Sequence, residues 1–256
     1  MSDPVPASTL AAPVSPGWKD KLLSFLPILA IYYGIQGFTI VLRVTKLIFT
    51  ADQLQRNPWI ALDEHHVWQM VFALALISLF SRGNYSAWGL NFENLRISWR
   101  LFVWFVPVCL AILFGVVALP LLIKHQAPMF DYPLTRANVI GWLSFEWILP
   151  GPSEEILFRG LIQTYLAQTW KGMWQIGKVS IPAAGILSTL IFCLAHVNFA
   201  QSPHVSWSQQ FFAFGLGIYY SAAYYRTRSL LAPMLAHNFW DGMVFVMWYV
   251  LYWRFH

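Results

Sequence analysis

Charged residues are scarce in this sequence. Asp, Glu, Lys and Arg make up 11% of its 256 residues, against about 25% in an ordinary soluble domain, so a solvated globular surface is excluded. Only two cysteines occur, Cys109 and Cys193; they match no zinc or redox spacing and read as small buried hydrophobes. The net charge of +5 is too dispersed for a nucleic-acid surface, and basic loops beside membrane spans account for it. A signal-peptide pattern is missing as well. Residues 1–20, rich in Pro, Ala and Ser, lack a basic n-region, a short apolar core and a small-residue cleavage site. They read as a disordered cytosolic tail, with the first span kept as an anchor. No internal repeat and no separate soluble domain is visible.

What is abundant is apolar and aromatic. Hydrophobic residues make up 58% of the chain, and the 14 Trp and 11 Tyr suit two wide membrane interfaces. Charge-free stretches of the length that crosses a bilayer run over Leu22–Leu42, His65–Ser81 and Leu101–Ile123. Four further spans are read at Ala137–Trp170, Ser180–Phe199, Gln209–Tyr225 and Ser229–Trp253, the first and last of which carry charged residues. The expected fold is all-α: a polytopic membrane bundle of about seven transmembrane helices, six to eight at the limits. Tyr85–Trp99, which mixes aromatics with Asn, Glu93 and Arg96, reads as an interfacial segment. A modest majority of the loop Lys and Arg, among them Lys19, Lys21, Arg82 and Arg226, falls on the N-terminal side, so the N-terminus is expected in the cytosol.

Against that background the acids within spans stand out, because a carboxylate in hydrocarbon costs a few kcal/mol or more. Glu154 and Glu155 are adjacent, in Gly151-Pro-Ser-Glu-Glu-Ile-Leu-Phe-Arg-Gly160. Pro150 and Pro152 predict a break just before them, with Ser153 capping a new helix start. Glu155 and Arg159 are i, i+4 neighbours in the favourable order, and Glu154 lies about 100° round the helix, free to face a cavity. Phe192 and His196 share a face of the fifth span, and His237 and Asp241 share a face of the seventh. Acids and imidazoles converging in an apolar cleft are the material of general acid–base catalysis. Each part also has a structural reading. Glu155–Arg159 is read as a charge-neutralising ion pair, His196 as a helix–helix hydrogen bonder, and His237–Asp241 as a self-satisfied pair. Glu146 is read as structural, and His65, His66, His125 and His204 as solvated loop residues.

Taken in order, Glu154-Glu155-x-x-x-Arg159, Phe192-x-x-x-His196 and His237-x-x-x-Asp241 resemble the three motifs of the CAAX prenyl protease 2 (CPBP, or Abi) intramembrane endopeptidases. The flanking Arg226-Thr-Arg-Ser-Leu-Leu-Ala-Pro-Met-Leu-Ala-His237 has the same texture, and the likeness covers about Trp142 to Asp241. The resemblance implies residues 137–253 as a catalytic membrane core, after N-terminal transmembrane helices over 21–136 that carry no recognised motif. It implies peptide-bond hydrolysis with Glu154 as general base, His196 helping it polarise a water, and His237 with Asp241 at the oxyanion. Glu155, Arg159 and Phe192 would support them. Where the family often has Asn, this chain has Asp241; an ionised Asp cannot donate to an oxyanion, so it either stays protonated or orients His237. The family has also been described as metal-dependent, and Glu154, His196, His237 and Asp241 would form a zinc set of N and O donors. Without a His-Glu-x-x-His signature, no cofactor is the favoured expectation and zinc the alternative.

The partners expected are a membrane-associated peptide or protein substrate and the lipid bilayer, with no nucleic acid, in the inner membrane of a bacterium. The competing readings are a non-catalytic membrane scaffold or bacteriocin-immunity partner that keeps the fold, and a small proton-coupled transporter.

Overall fold

The computed structural model describes residues 17–197 and 205–256. The chain begins with α1 (Trp18–Val41), whose Gly17 N–H donates to Asp20 at 3.0 Å. Two short helices follow, α2 (Thr45–Ile48) and α3 (Ala51–Arg56), the second capped by the Thr50 hydroxyl accepting from Gln53 N. The Glu64 carboxylate accepts from the Val44 and Thr45 backbone and ties this connection to α4 (Trp59–Ser81). After a turn of 3₁₀ helix at Tyr85–Trp88, α5 (Leu95–Leu113) runs through a π-helical stretch at Phe114–Ala118 into α6 (Leu119–Lys124).

The second half starts with α7 (Arg136–Ile148), capped by Thr135. Next come α8 (Pro150–Glu155), a π-helical stretch Ile156–Gln163, and α9 (Thr164–Leu166). An antiparallel hairpin of β1 (Met173–Ile176) and β2 (Val179–Pro182), in the register Met173 opposite Pro182, leads to α10 (Ala183–Ala195). The chain closes with α11 (Trp207–Thr227) and α12 (Leu231–Phe255). Packing centres on α12, which meets α5, α7, α8 and α11, while α4 crosses α7, α8 and the following π-helical stretch.

Among the described residues, two helical stretches, Trp18–Ile48 and Leu95–Lys124, are long and apolar enough to cross a membrane. Only 22% and 17% of their most apolar windows is buried within the protein, so their hydrophobic faces point outward. Leu23, Ile40, Val103 and Trp104 are among the exposed side chains, an apolar surface that suits lipid rather than water.

Three expectations are corrected. The chain is mostly helical, but β1 and β2 add a small sheet, and its second strand takes Ser180–Pro182 from the start of the expected fifth span; Pro182 stands at the N-cap of α10, which is thereby short. Tyr85–Trp99 is not one surface segment. Its first turn folds inward, with Trp88 buried, and Leu95–Trp99 already belongs to α5. Gly89 between them has φ +82, and a Cβ there would lie 2.5 Å from the Tyr224 ring, so the turn requires glycine on both counts. The tail expected over residues 1–20 lies outside the described residues up to 16, and from Trp18 onward the chain is helical.

Gly151 sets the closest approach of α8 to α12. A methyl there would fall 2.5 Å from Met234 O and 2.6 Å from Asn238 Oδ1. Gly151→Ala is therefore expected to destabilise the protein by about 1–3 kcal/mol, seen as a lower Tm in detergent. Gly34→Ala, with nothing near the added atom, should leave Tm unchanged or raise it.

Candidate active site

The site is built around a break. At Leu149 the helix stops because Pro150 has no N–H to give and its ring crowds the preceding turn. Asn238 of α12 takes over the freed groups: its Oδ1 accepts from Gly151 N at 2.7 Å and its Nδ2 donates to Ile148 O at 3.2 Å. The break is where the prolines predict it, but Ser153 does not cap the new helix. It sits inside α8, fully buried, with its hydroxyl 2.9 Å from Leu149 O and 3.1 Å from Pro150 O. Pro150 opens the helix instead, at a position where a missing N–H is harmless.

Beyond the break, Glu155 and Arg159 pair along one face, as their spacing predicts. Arg159 Nη1 donates to Glu155 Oε1 at 2.9 Å with both side chains 0% exposed. Nη2 donates to Gly217 O at 3.1 Å, and the guanidinium lies over the rings of Phe192 and Tyr220 at 4.7 and 5.2 Å. Glu155 has a second partner that the spacing did not reveal: His237 Nδ1 lies 2.8 Å from the same Oε1. A carboxylate paired with Arg only accepts, so Nδ1 carries the proton and donates. The support pair thereby fixes the tautomer of an imidazole across the bundle.

With Nδ1 committed, Nε2 of His237 turns to the acids. It lies 3.1 Å from Asp241 Oδ2 and 3.8 Å from Glu154 Oε2. Tyr220 of α11 stacks on the ring, centroids 5.0 Å apart at 15°, and holds its plane. His196 ends α10 with Nδ1 donating to Phe192 O at 2.8 Å, and its Nε2 makes no hydrogen bond among the described residues. Phe192 is buried between Phe158, His196 and Arg159 and acts as a wall rather than a reactive group.

Glu154, His196, His237 and Asp241 all line one cavity of about 630 Å³; Glu155 and Arg159 lie behind it. Two further polar residues line the same cavity. Glu146, on α7, is 7% exposed. His66 corrects the reading of it as a solvated loop residue: it lies within α4, is buried, and reaches Ser153 Oγ and Glu154. The helix that holds the charge-free run from His65 begins earlier, at Trp59, with Asp63 and Glu64 in its first two turns, so His66 lies in its interior rather than at its edge. His65 is also within α4 but lines no part of the cavity. His125 is an exposed helix end, and His204 lies outside the described residues.

The donor types suit zinc, and both imidazoles present Nε2 with Nδ1 held by a backbone or carboxylate acceptor. Their placement does not: among the described residues, no group of three or more His, Cys, Asp and Glu is disposed to hold a metal ion. No chemical step is derived through one.

Comparison with known proteins gives a match to a family model. The family model described as type II CAAX prenyl endopeptidase Rce1-like matches residues 136–243, the stretch that carries all three motifs and α7 to the middle of α12. No curated protein and no solved structure gives a match. Over residues 136–243, less than half of its length, the chain is thus similar to the type II CAAX prenyl endopeptidases of the Rce1-like family.

Proposed function

We propose that the protein is an intramembrane endopeptidase that hydrolyses peptide bonds of membrane-associated substrates with a glutamate-activated water. The observation that carries this reading is the position of Glu154: its carboxylate faces a cavity between imidazoles, while the neighbouring Glu155 is neutralised by Arg159. Glu154 takes a proton from water as the oxygen attacks the scissile carbonyl carbon. His196, whose Nδ1 is committed to Phe192 O, helps orient that water through Nε2. The tetrahedral intermediate places negative charge on the former carbonyl oxygen, met by His237 Nε2–H when the imidazole is doubly protonated between its carboxylates. The C–N bond then breaks and Glu154 returns its proton to the leaving amine, so atoms and charge balance.

Asp241 is assigned to orientation in this scheme. Its 3.1 Å contact with His237 Nε2 supports an acceptor that holds the imidazole and stabilises its charge. Asp241→Asn keeps one acceptor oxygen and is expected to retain cleavage within about tenfold, while Asp241→Ala loses about a hundredfold or more. A reversed order, Asn as inactive as Ala, would assign the residue a role that needs its charge.

The same reading makes the protein multi-pass, with α1 and the stretch Leu95–Lys124 among its spans, the N-terminus in the cytosol and the host membrane a bacterial inner membrane. It takes no metal. The test is a comparison of membrane peptides in cells that express wild type or Glu154→Gln. Peptides that persist uncut only with the variant are expected; identical peptide pools would sink the protease reading, and loss of cleavage on strong chelation with recovery on zinc would overturn the metal-free one.

A further inference from the structure

His66 belongs to a part of the chain outside the family match, on α4, yet it enters the cavity beside the proposed base. Its ring is held on three sides. Nδ1 meets Ser153 Oγ at 2.7 Å, Phe145 of α7 packs edge-on with centroids 5.0 Å apart, and His65 packs from the preceding position at 5.4 Å. Nε2 is left pointing to Glu154 Oε1 at 3.9 Å. His237 Nε2 stands 3.8 Å from the other oxygen, Oε2. Both distances exceed a direct hydrogen bond, and at each pair one water beside the two atoms can contact both. The carboxylate thus has an imidazole on each oxygen, one brought by the family segment and one by the N-terminal half.

We propose that His66 is a positioning residue of the active site, holding the water on Glu154 Oε1 from the side opposite His237. Ser153 is its anchor. The Ser153 hydroxyl hydrogen has Leu149 O and Pro150 O within reach, so its oxygen is free to accept from Nδ1–H. That leaves the Nε2 lone pair to accept a hydrogen from the water while Glu154 takes the other. The segment Ser153-Glu154 therefore carries both the base and the peg that aims its partner. The N-terminal half, which holds no recognised motif, is part of the catalytic apparatus rather than only a wall for substrate.

The role rests on the proposed protease activity, and the experiment separates the two. Cells expressing wild type, Glu154→Gln, His66→Asn or His66→Gln are compared for cleavage of the membrane peptides that accumulate uncut with Glu154→Gln. Rates are normalised to the folded protein recovered from membranes. The amide of Asn sits at the level of Nδ1, so His66→Asn keeps the Ser153 contact and removes the group facing Glu154. Gln reaches the level of Nε2 and does the reverse. Cleavage is expected to fall about a hundredfold with His66→Asn and to stay within about tenfold with His66→Gln. His66→Asn cutting at the wild-type rate, or activity that follows the Ser153 contact instead, would overturn the assignment. If no peptide accumulates uncut with Glu154→Gln, the protease reading itself fails.

Discussion

Arg159→Ala is expected to yield little folded protein. The guanidinium is fully buried and is the one cationic partner within ion-pair distance of Glu155 Oε1 apart from His237. Removing it leaves a carboxylate at 0% exposure without its guanidinium, and breaking a buried pair from one side costs about 3–5 kcal/mol. It also frees Gly217 O and opens space beneath Phe192 and Tyr220. Against a typical total stability of about 5–15 kcal/mol, that is a large fraction. Monodisperse yield and Tm in detergent measure it. Replacing both partners, as in Glu155→Leu with Arg159→Met, removes the unpaired charge and should recover much of the stability. The double variant should still be inactive, because His237 Nδ1 has lost its acceptor. A folded, fully active double variant would show that the pair has no part in setting up the imidazole.

Glu154→Gln is the complementary case: large in chemistry and small in stability. No side chain lies within hydrogen-bond distance of the Glu154 carboxylate among the described residues; the imidazoles of His237 and His66 stand at 3.8 and 3.9 Å. The amide is nearly the same size, so Tm should stay close to wild type. The amide cannot accept a proton from water at neutral pH, and removal of a general base typically costs 10²–10⁴-fold. We expect about a thousandfold loss in cleavage. A proportional loss of Tm and activity would mean instead that Glu154 holds the bundle together.

The contrast between these residues was already legible in the linear pattern. Acid before base at i, i+4 marks Glu155 and Arg159 as a pair and leaves Glu154 facing elsewhere. The two i, i+4 pairs Phe192/His196 and His237/Asp241 put their polar ends on single helix faces, and the prolines marked the break that begins α8. What the pattern hid depends on contacts between distant segments. Glu155 reaches His237 across 82 positions, and Asn238 satisfies the broken helix from α12. His66 looked like a loop residue because Asp63, Glu64 and His65 before it are polar; packing against Phe145 and Ser153 places it inside. Tyr220 carried no polar periodicity and is visible only as the ring on which His237 stacks. The hairpin Met173–Pro182 is hidden for a local reason, since Ser180-Ile-Pro182 carries no charge and runs on into the apolar stretch of α10.

The most direct measurement uses purified protein in proteoliposomes, with a synthetic copy of a membrane peptide that accumulates uncut in Glu154→Gln cells, in ¹⁸O-labelled water. The wild type should release two fragments, the new C-terminal carboxylate carrying one labelled oxygen, in the presence of a strong chelator, while Glu154→Gln releases neither. Equal cleavage by wild type and Glu154→Gln, or wild-type cleavage that stops on chelation, would contradict a water activated by Glu154 alone.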